Sequence, residues 1–220
     1  CLMGIPMGLQ YSITAIGSIV LQSAVNGLGS RYVASVAAGT KLFQVICCPF
    51  DAMGATMATY CGQNVGAIKL DRLGQGLRAC SLLGLGYALL SFASIFFFAP
   101  QMALLFLNPG EEALIGHTAQ YITTLGAFFF PLALVNILRF SIQGMGFSNL
   151  AILAGVMEMF ARMGVATLLV PAIGYTGACF ASPAAWICAD LFLIPASCWS
   201  IAHLRRVYGQ PGERSGSPAP

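Results

Sequence analysis

The chain reads as long apolar stretches separated by short polar connectors. A helix that crosses a bilayer needs roughly 20 predominantly apolar residues. About six segments meet that requirement, at residues 4–25, 42–62, 77–98, 118–141, 150–170 and 178–202. The connectors carry turn chemistry. Asn26-Gly27-Leu28-Gly29-Ser30-Arg31 ends the first segment and Asn108-Pro109-Gly110-Glu111-Glu112 precedes the fourth. Gly144-Met145-Gly146-Phe147-Ser148-Asn149 separates the fourth from the fifth, and Pro171-Ala172-Ile173-Gly174 follows the fifth. Proline removes a backbone donor, while glycine and asparagine accept the left-handed geometry that closes a helix. Two longer connectors, 33–39 and 102–107, are expected as short interfacial helices. From Gly209 the composition turns to Gly, Pro, Ser and charge, which predicts a disordered tail over 209–220. The expected architecture is an all-α integral membrane bundle of about six transmembrane helices over residues 1–208.

Composition supports the bilayer as solvent. The chain is 58% hydrophobic and 8% charged, with a mean hydropathy of +0.81, whereas a soluble domain carries about 25% charged residues. A net charge of +3 is too small to point to a nucleic-acid partner, and the placement of the charges says more than their sum. Lys69, Arg72, Arg78, Arg139, Arg205 and Arg206 are expected on one side of the membrane. Arg31 and Lys41, with Glu111 and Glu112, are expected on the other. An even number of spans puts both ends on one side, and the positive-inside rule then places both in the cytoplasm.

The cysteines Cys1, Cys47, Cys48, Cys61, Cys80, Cys179, Cys188 and Cys198 form no CxxC or CxxH spacing and read as small packing residues. No Walker, HExxH or GxSxG signature is present, which argues against ATP-driven transport by this chain and against an enzyme. The chain begins at Cys1 and is apolar from the start, with no basic leader, and it reads as a fragment lacking an N-terminal part.

Charges inside the spans carry the candidate chemistry. One charge at the bilayer centre costs about 2.5–3.5 kcal/mol on insertion scales. Asp51 falls near the middle of the second span, Glu158 and Arg162 in the fifth and Asp190 in the sixth. Glu158 and Arg162 lie four residues apart with the acid first, so they share a helix face. That spacing predicts a self-neutralising buried pair; a second reading releases Glu158 to bind a cation or proton during transport. Asp51 and Asp190 have no partner in their own helices. Burial disfavours a charged carboxylate, which suits a proton relay or a counter-charge for a cation, and equally a hydrogen-bonded structural carboxyl.

Gln10, Gln22 and Asn26 on the first span, Gln44 on the second and Asn136 on the fourth are expected to face the bundle interior, mostly in interhelical hydrogen bonds. The run Phe128-Phe129-Phe130 with Tyr121 reads as a packed or lipid-facing stripe, or as the wall of an apolar drug pocket with cation–π capacity. Pro6, Pro49, Pro131, Pro183 and Pro195 are candidate kinks.

The stretch Gly62-Gln63-Asn64-Val65-Gly66-Ala67 followed by Arg72 resembles the GQN-x-GA … R element of the multidrug and toxic compound extrusion (MATE) transporters. Gly4-Ile5-Pro6-Met7-Gly8-Leu9-Gln10 resembles the start of that family's seventh helix, Gln143-Gly144-Met145-Gly146 its QG-x-G turn, and Glu158 with Arg162 its eleventh helix. The resemblance extends to about Tyr208. It implies a fold of twelve helices in two lobes, of which this chain is the C-terminal one.

It also implies a bacterial inner-membrane antiporter that exports small organic cations against inward proton or sodium flow, by rocking two lobes about a central cavity. The implied partners are the bilayer, an N-terminal six-helix lobe and the organic cation, with no cofactor beyond the coupling ion. The first span carries Gln10 and Thr14 but no acid, and the fourth carries Asn136 but no Asp or Glu. This resembles the DinF-like branch, where coupling is attributed to an Asp in the other lobe. A lipid-linked-precursor flippase, a non-transporting remnant and a half-size homodimer stay open as alternatives.

Overall fold

A computed structural model of the chain describes residues 4–108 and 110–208, with side chains from residue 12 onward. The helices are α1 (Gly4–Asn26), α2 (Ser30–Gly66), α3 (Asp71–Ala103), α4 (Glu112–Ala127), α5 (Phe129–Gly144), α6 (Ser148–Gly164), α7 (Val170–Ile173) and α8 (Tyr175–Tyr208). Val165–Leu169, between α6 and α7, is a π-helix. The described residues contain no strand. The chain therefore forms the all-α membrane bundle that its hydropathy predicts. Four stretches are long and apolar enough to cross a bilayer alone: α2, α3, Ser148–Ile173 and α8. The α4–α5 pair makes a fifth span, bent by 54°. The 23 residues of α1 reach about 35 Å at 1.5 Å per residue, the length of a sixth.

Three sequence expectations are corrected. Residues 33–39 are not a separate interfacial helix; they belong to α2, which runs unbroken for 37 residues through Pro49. Their small side chains lower the local hydropathy but suit close packing against α4. Thr118 Oγ1 donates to the Ser35 carbonyl across that contact at 3.3 Å. Residues 102–107 form no interfacial helix either: α3 ends at Ala103 and a succession of turns follows. The span expected at 118–141 is two helices with a break at Phe128. Pro131 accounts for the break, because it cannot donate to the carbonyl of Ala127 and its ring crowds that carbonyl. Cys1, Pro109 and the tail 209–220 lie outside the described residues.

Two of the connectors share a cap geometry. Gly146 has φ 94°; its amide donates to the Gln143 carbonyl at 2.9 Å, and the Phe147 amide donates to the Ile142 carbonyl at 3.1 Å. This is a Schellman cap, which satisfies the last carbonyls of α5. The end of α2 has the same cap with Ile68 in the left-handed position, at φ 56°. There the Lys69 amide reaches the Asn64 carbonyl at 2.8 Å and the Ile68 amide reaches that of Val65 at 3.0 Å.

Packing pairs α1 with α6, α2 with α4 and α5, α3 with α4 and α5, and α8 with α5 and α6. Phe50, Phe129, Ile137 and Leu193 are fully enclosed at the centre. Phe129 meets Phe43 and Phe50 at ring-centroid distances of 6.1 and 5.7 Å, so the aromatic run is partly core. Leu82, Leu83, Leu89, Leu90, Phe96 and Phe97 of α3 are exposed, an apolar surface suited to lipid and not to water. At one end of the bundle Arg205 Nη2 of α8 meets Asp71 Oδ1 of α3 at 3.3 Å, with Lys69, Arg72 and Arg78 on the same connector and first turns. At the other end Arg31, Glu111 and Glu112 border one crevice.

Candidate functional site: a buried charge cluster

Five helices converge on a polar cavity of about 330 Å³, lined by Thr14 of α1, Gln44 and Asp51 of α2, Asn136 and Arg139 of α5, Glu158 and Arg162 of α6, and Trp186 of α8. The stacking of Trp186 on Phe43, with centroids 5.8 Å apart, forms its aromatic wall.

Glu158 sits at the centre and is 2% exposed. Its closer ionic partner is Arg139, whose Nη2 donates to Glu158 Oε1. The expected partner, Arg162, is also present, with Nη2 3.9 Å from Glu158 Oε2. Arg162 leans toward α1 as well, where Nη1 donates to the Thr14 carbonyl at 3.4 Å and to Ser18 Oγ at 3.3 Å. The pair read from helix spacing is thus a triad shared by α5 and α6 and clamped to α1.

Arg139 is the residue that sequence reasoning misplaced. It is buried at 8% exposure and does not belong with the basic residues of the bundle end. The signal was its position inside the apolar segment 118–141, where an arginine needs an acid on a neighbouring helix. Without it, Lys69, Arg72, Arg78, Arg205 and Arg206 still outnumber the basic residues at the other end, so the charge asymmetry survives.

Asp51 is not unpaired: Asn136 Nδ2 donates to its Oδ1 at 3.4 Å across the α2–α5 contact. Its carboxyl is exposed on the cavity side of the bundle, reachable by an ion that enters the cavity. Asp190 is the opposite case. It is 7% exposed, its Oδ1 is buried with no hydrogen-bond partner, and it lies within electrostatic reach of Arg139 and Glu158.

Arg139 Nε and Arg162 Nε are also buried without acceptors. Arg139 therefore has two carboxyls within reach, Glu158 and Asp190, with donors and one acceptor left over in a buried space. Such a network has more than one way to pair its charges, because a guanidinium has five donors and Arg139 spends one on Glu158. Gln44 lines the same cavity. The Gln10 side chain lies outside the described residues. Among the described residues Gln22 makes no interhelical bond and instead donates to Asn26 Oδ1 on its own helix at 3.1 Å.

Solved membrane transporters share this architecture. The chain superposes on a solved MATE transporter in its bent conformation with a TM-score of 0.82, at 20% identity over 94% of this chain and 46% of that one. A transporter of the MOP superfamily from Pyrococcus furiosus, described as having a binding pocket of reverse polarity, superposes with a TM-score of 0.78, at 19% identity over 99% of this chain and 47% of that one. In sequence, 134 residues are 29% identical to the probable multidrug resistance protein YpnP of Bacillus subtilis (strain 168), which covers 61% of this chain and 29% of that protein. The chain thus spans about half the length of the solved transporters it resembles. A family model, MatE, matches residues 6–170, most of the described bundle and every residue of the cluster except Trp186 and Asp190, and on that match the chain belongs to the MATE family of membrane transporters.

Proposed function

We propose that the chain is one lobe of a secondary antiporter that exports organic cations in exchange for protons or sodium, and that its coupling ion binds in the cavity between α2, α5 and α8. The observation that carries this reading is an accessible carboxyl on the cavity wall, Asp51, together with the enclosed Asp190, which lies within reach of the wall residue Arg139 and whose Oδ1 has no hydrogen-bond partner. A carboxylate that accepts no bond in a low-dielectric space gains most from a proton or a cation. Asn136 orients Asp51, and Arg139 is placed to exchange partners between Glu158 and Asp190 as an ion arrives or leaves. The second lobe closes the cavity, and rocking of the two lobes exposes it to each side in turn, as in other two-lobed transporters. Both chain ends face the cytoplasm.

The test is efflux of a fluorescent organic cation from proteoliposomes containing the full-length protein, under an imposed proton or sodium gradient. Asp51→Asn and Asp190→Asn are each expected to lower efflux at least tenfold while leaving the amount of folded protein unchanged. Full efflux from both variants removes Asp51 and Asp190 from ion coupling and overturns this reading. One observation favours a second reading: two buried arginines, not one, line the cavity, which suits an anionic substrate such as a lipid-linked precursor. Transport of an anionic lipid and not of the cation would establish that reading.

A further inference from the structure

A second cavity lies away from the charge cluster, on the face formed by α3, α5 and α8 at the basic end of the bundle. It is a groove of about 960 Å³ with Leu77, Leu85, Phe130 and Ile201 among its apolar walls and Arg78 and Arg205 at its mouth. We propose that this groove holds an anionic phospholipid of the leaflet at the basic end, with its acyl chains between α3 and α8 and its phosphate between the two arginines.

Dimensions and charge fit that occupant. Gly74 to Leu85 spans about 16 Å along α3 at 1.5 Å per residue, close to the ~15 Å hydrocarbon depth of one leaflet. Arg78 stands one turn into the groove from Gly74, a depth from which its long stem can carry the guanidinium to the headgroups along the apolar wall, and Arg205 is in the last turn of α8. Arg78 has no acidic partner among the described residues, and the Asp71 that meets Arg205 is 94% exposed at its side chain, too well solvated to compete strongly with a phosphate. Lys69, Arg72 and Arg206 add to the positive field at the same end and draw anionic lipid toward the mouth. A zwitterionic lipid gains the walls but little of this field.

The groove separates headgroup and chain effects. Gly74 lines the groove and a Cβ added there meets nothing within 4 Å, so Gly74→Leu narrows the groove without a clash at its Cβ. The experiment is native mass spectrometry of the full-length protein released from nanodiscs of equal phosphatidylglycerol and phosphatidylethanolamine. The expected result is retained phosphatidylglycerol at least fivefold over phosphatidylethanolamine. Arg78→Gln with Arg205→Gln should abolish that preference, and the double lysine variant should restore most of it. Gly74→Leu should reduce retention of both lipids. Elution as a single species and an unchanged unfolding temperature in detergent show that each variant is folded, and Arg78→Gln alone carries the charge test where the double variant is not.

Equal retention of the two lipids by the unaltered protein, or an undiminished preference in the glutamine variants, overturns the proposal. Lipid retention that appears only after truncation following Tyr208 also overturns it, because the C-terminal residues would then fill the groove themselves.

Discussion

Glu158 shows how much a single residue holds in this lobe. It is the shared ionic partner of Arg139 from α5 and Arg162 from its own helix, and all three are enclosed. Glu158→Gln leaves two buried guanidiniums uncompensated, and breaking a buried pair in this way costs about 3–5 kcal/mol. The expected outcome is a sharp loss of monodisperse protein after detergent extraction, read by size-exclusion chromatography of a fluorescent fusion. Normal yield with abolished transport would instead place Glu158 among the ion-binding groups. At this scale the sequence was half legible. The spacing of Glu158 and Arg162 gave a true contact because a helix repeats every 3.6 residues. The closer partner, Arg139, depends on the register of a hairpin, and the Asp51–Asn136 bond joins residues 85 apart, which periodicity within one helix cannot reach.

Elements were more legible than contacts, with errors where small residues or proline changed the rule. The apolar segments located the spans because bilayer thickness sets their length. Ser35, Ala38 and Gly39 looked like a connector by hydropathy but are buried on the α2 side of the α4 contact. Pro131 reads from sequence as a kink, and it marks a full break of 54°. Pro131→Ala restores a donor to the carbonyl of Ala127 and is expected to straighten α4 onto α5. A spin-label pair on the two helices should then lengthen its mean separation, and efflux should fall because Asn136 and Arg139 ride on α5. An unchanged separation would assign the break to packing instead of proline. Helix ends offer a gain in stability. Ile68 is a β-branched residue at φ 56°, a conformation that costs about 1–3 kcal/mol. Ile68→Gly should recover about 1 kcal/mol, seen as a higher unfolding temperature in detergent. A lower temperature would mean that the exposed Ile68 side chain packs against lipid or the other lobe strongly enough to outweigh its strain.

For the whole molecule, orientation rests on charge at the two ends. Removing Arg139 from the basic set still leaves Lys69, Arg72, Arg78, Arg205 and Arg206 at one end against Arg31 and Lys41. Ala67 and Ala113 are exposed at opposite ends of the bundle. In a cysteine-free background, Ala113→Cys should react with a membrane-impermeant maleimide on intact cells, and Ala67→Cys only after the cells are opened. The reverse pattern would invert the topology and put the acyl groove in the outer leaflet. Composition made the bundle and its solvent plain at this scale. The cavity was not plain, because it is built from five helices whose faces no single-chain pattern orients.

The Arg139–Glu158 bond has a further consequence for how the chain enters its membrane. Between α5 and α6 stand only Met145, Gly146 and Phe147, so the two charged helices emerge from the ribosome almost together. Alone, α5 would carry Arg139 uncompensated into hydrocarbon, at about 2.5–3.5 kcal/mol for an arginine near the centre, whereas α6 brings Glu158 together with Arg162. Joined by the Gly146 cap, α5 gains Glu158 as the partner of Arg139 before it faces lipid. The hairpin, not the single helix, is then the unit that leaves the translocon, and α1 is left to wait at the bilayer surface or beside other helices until α6 arrives to receive it.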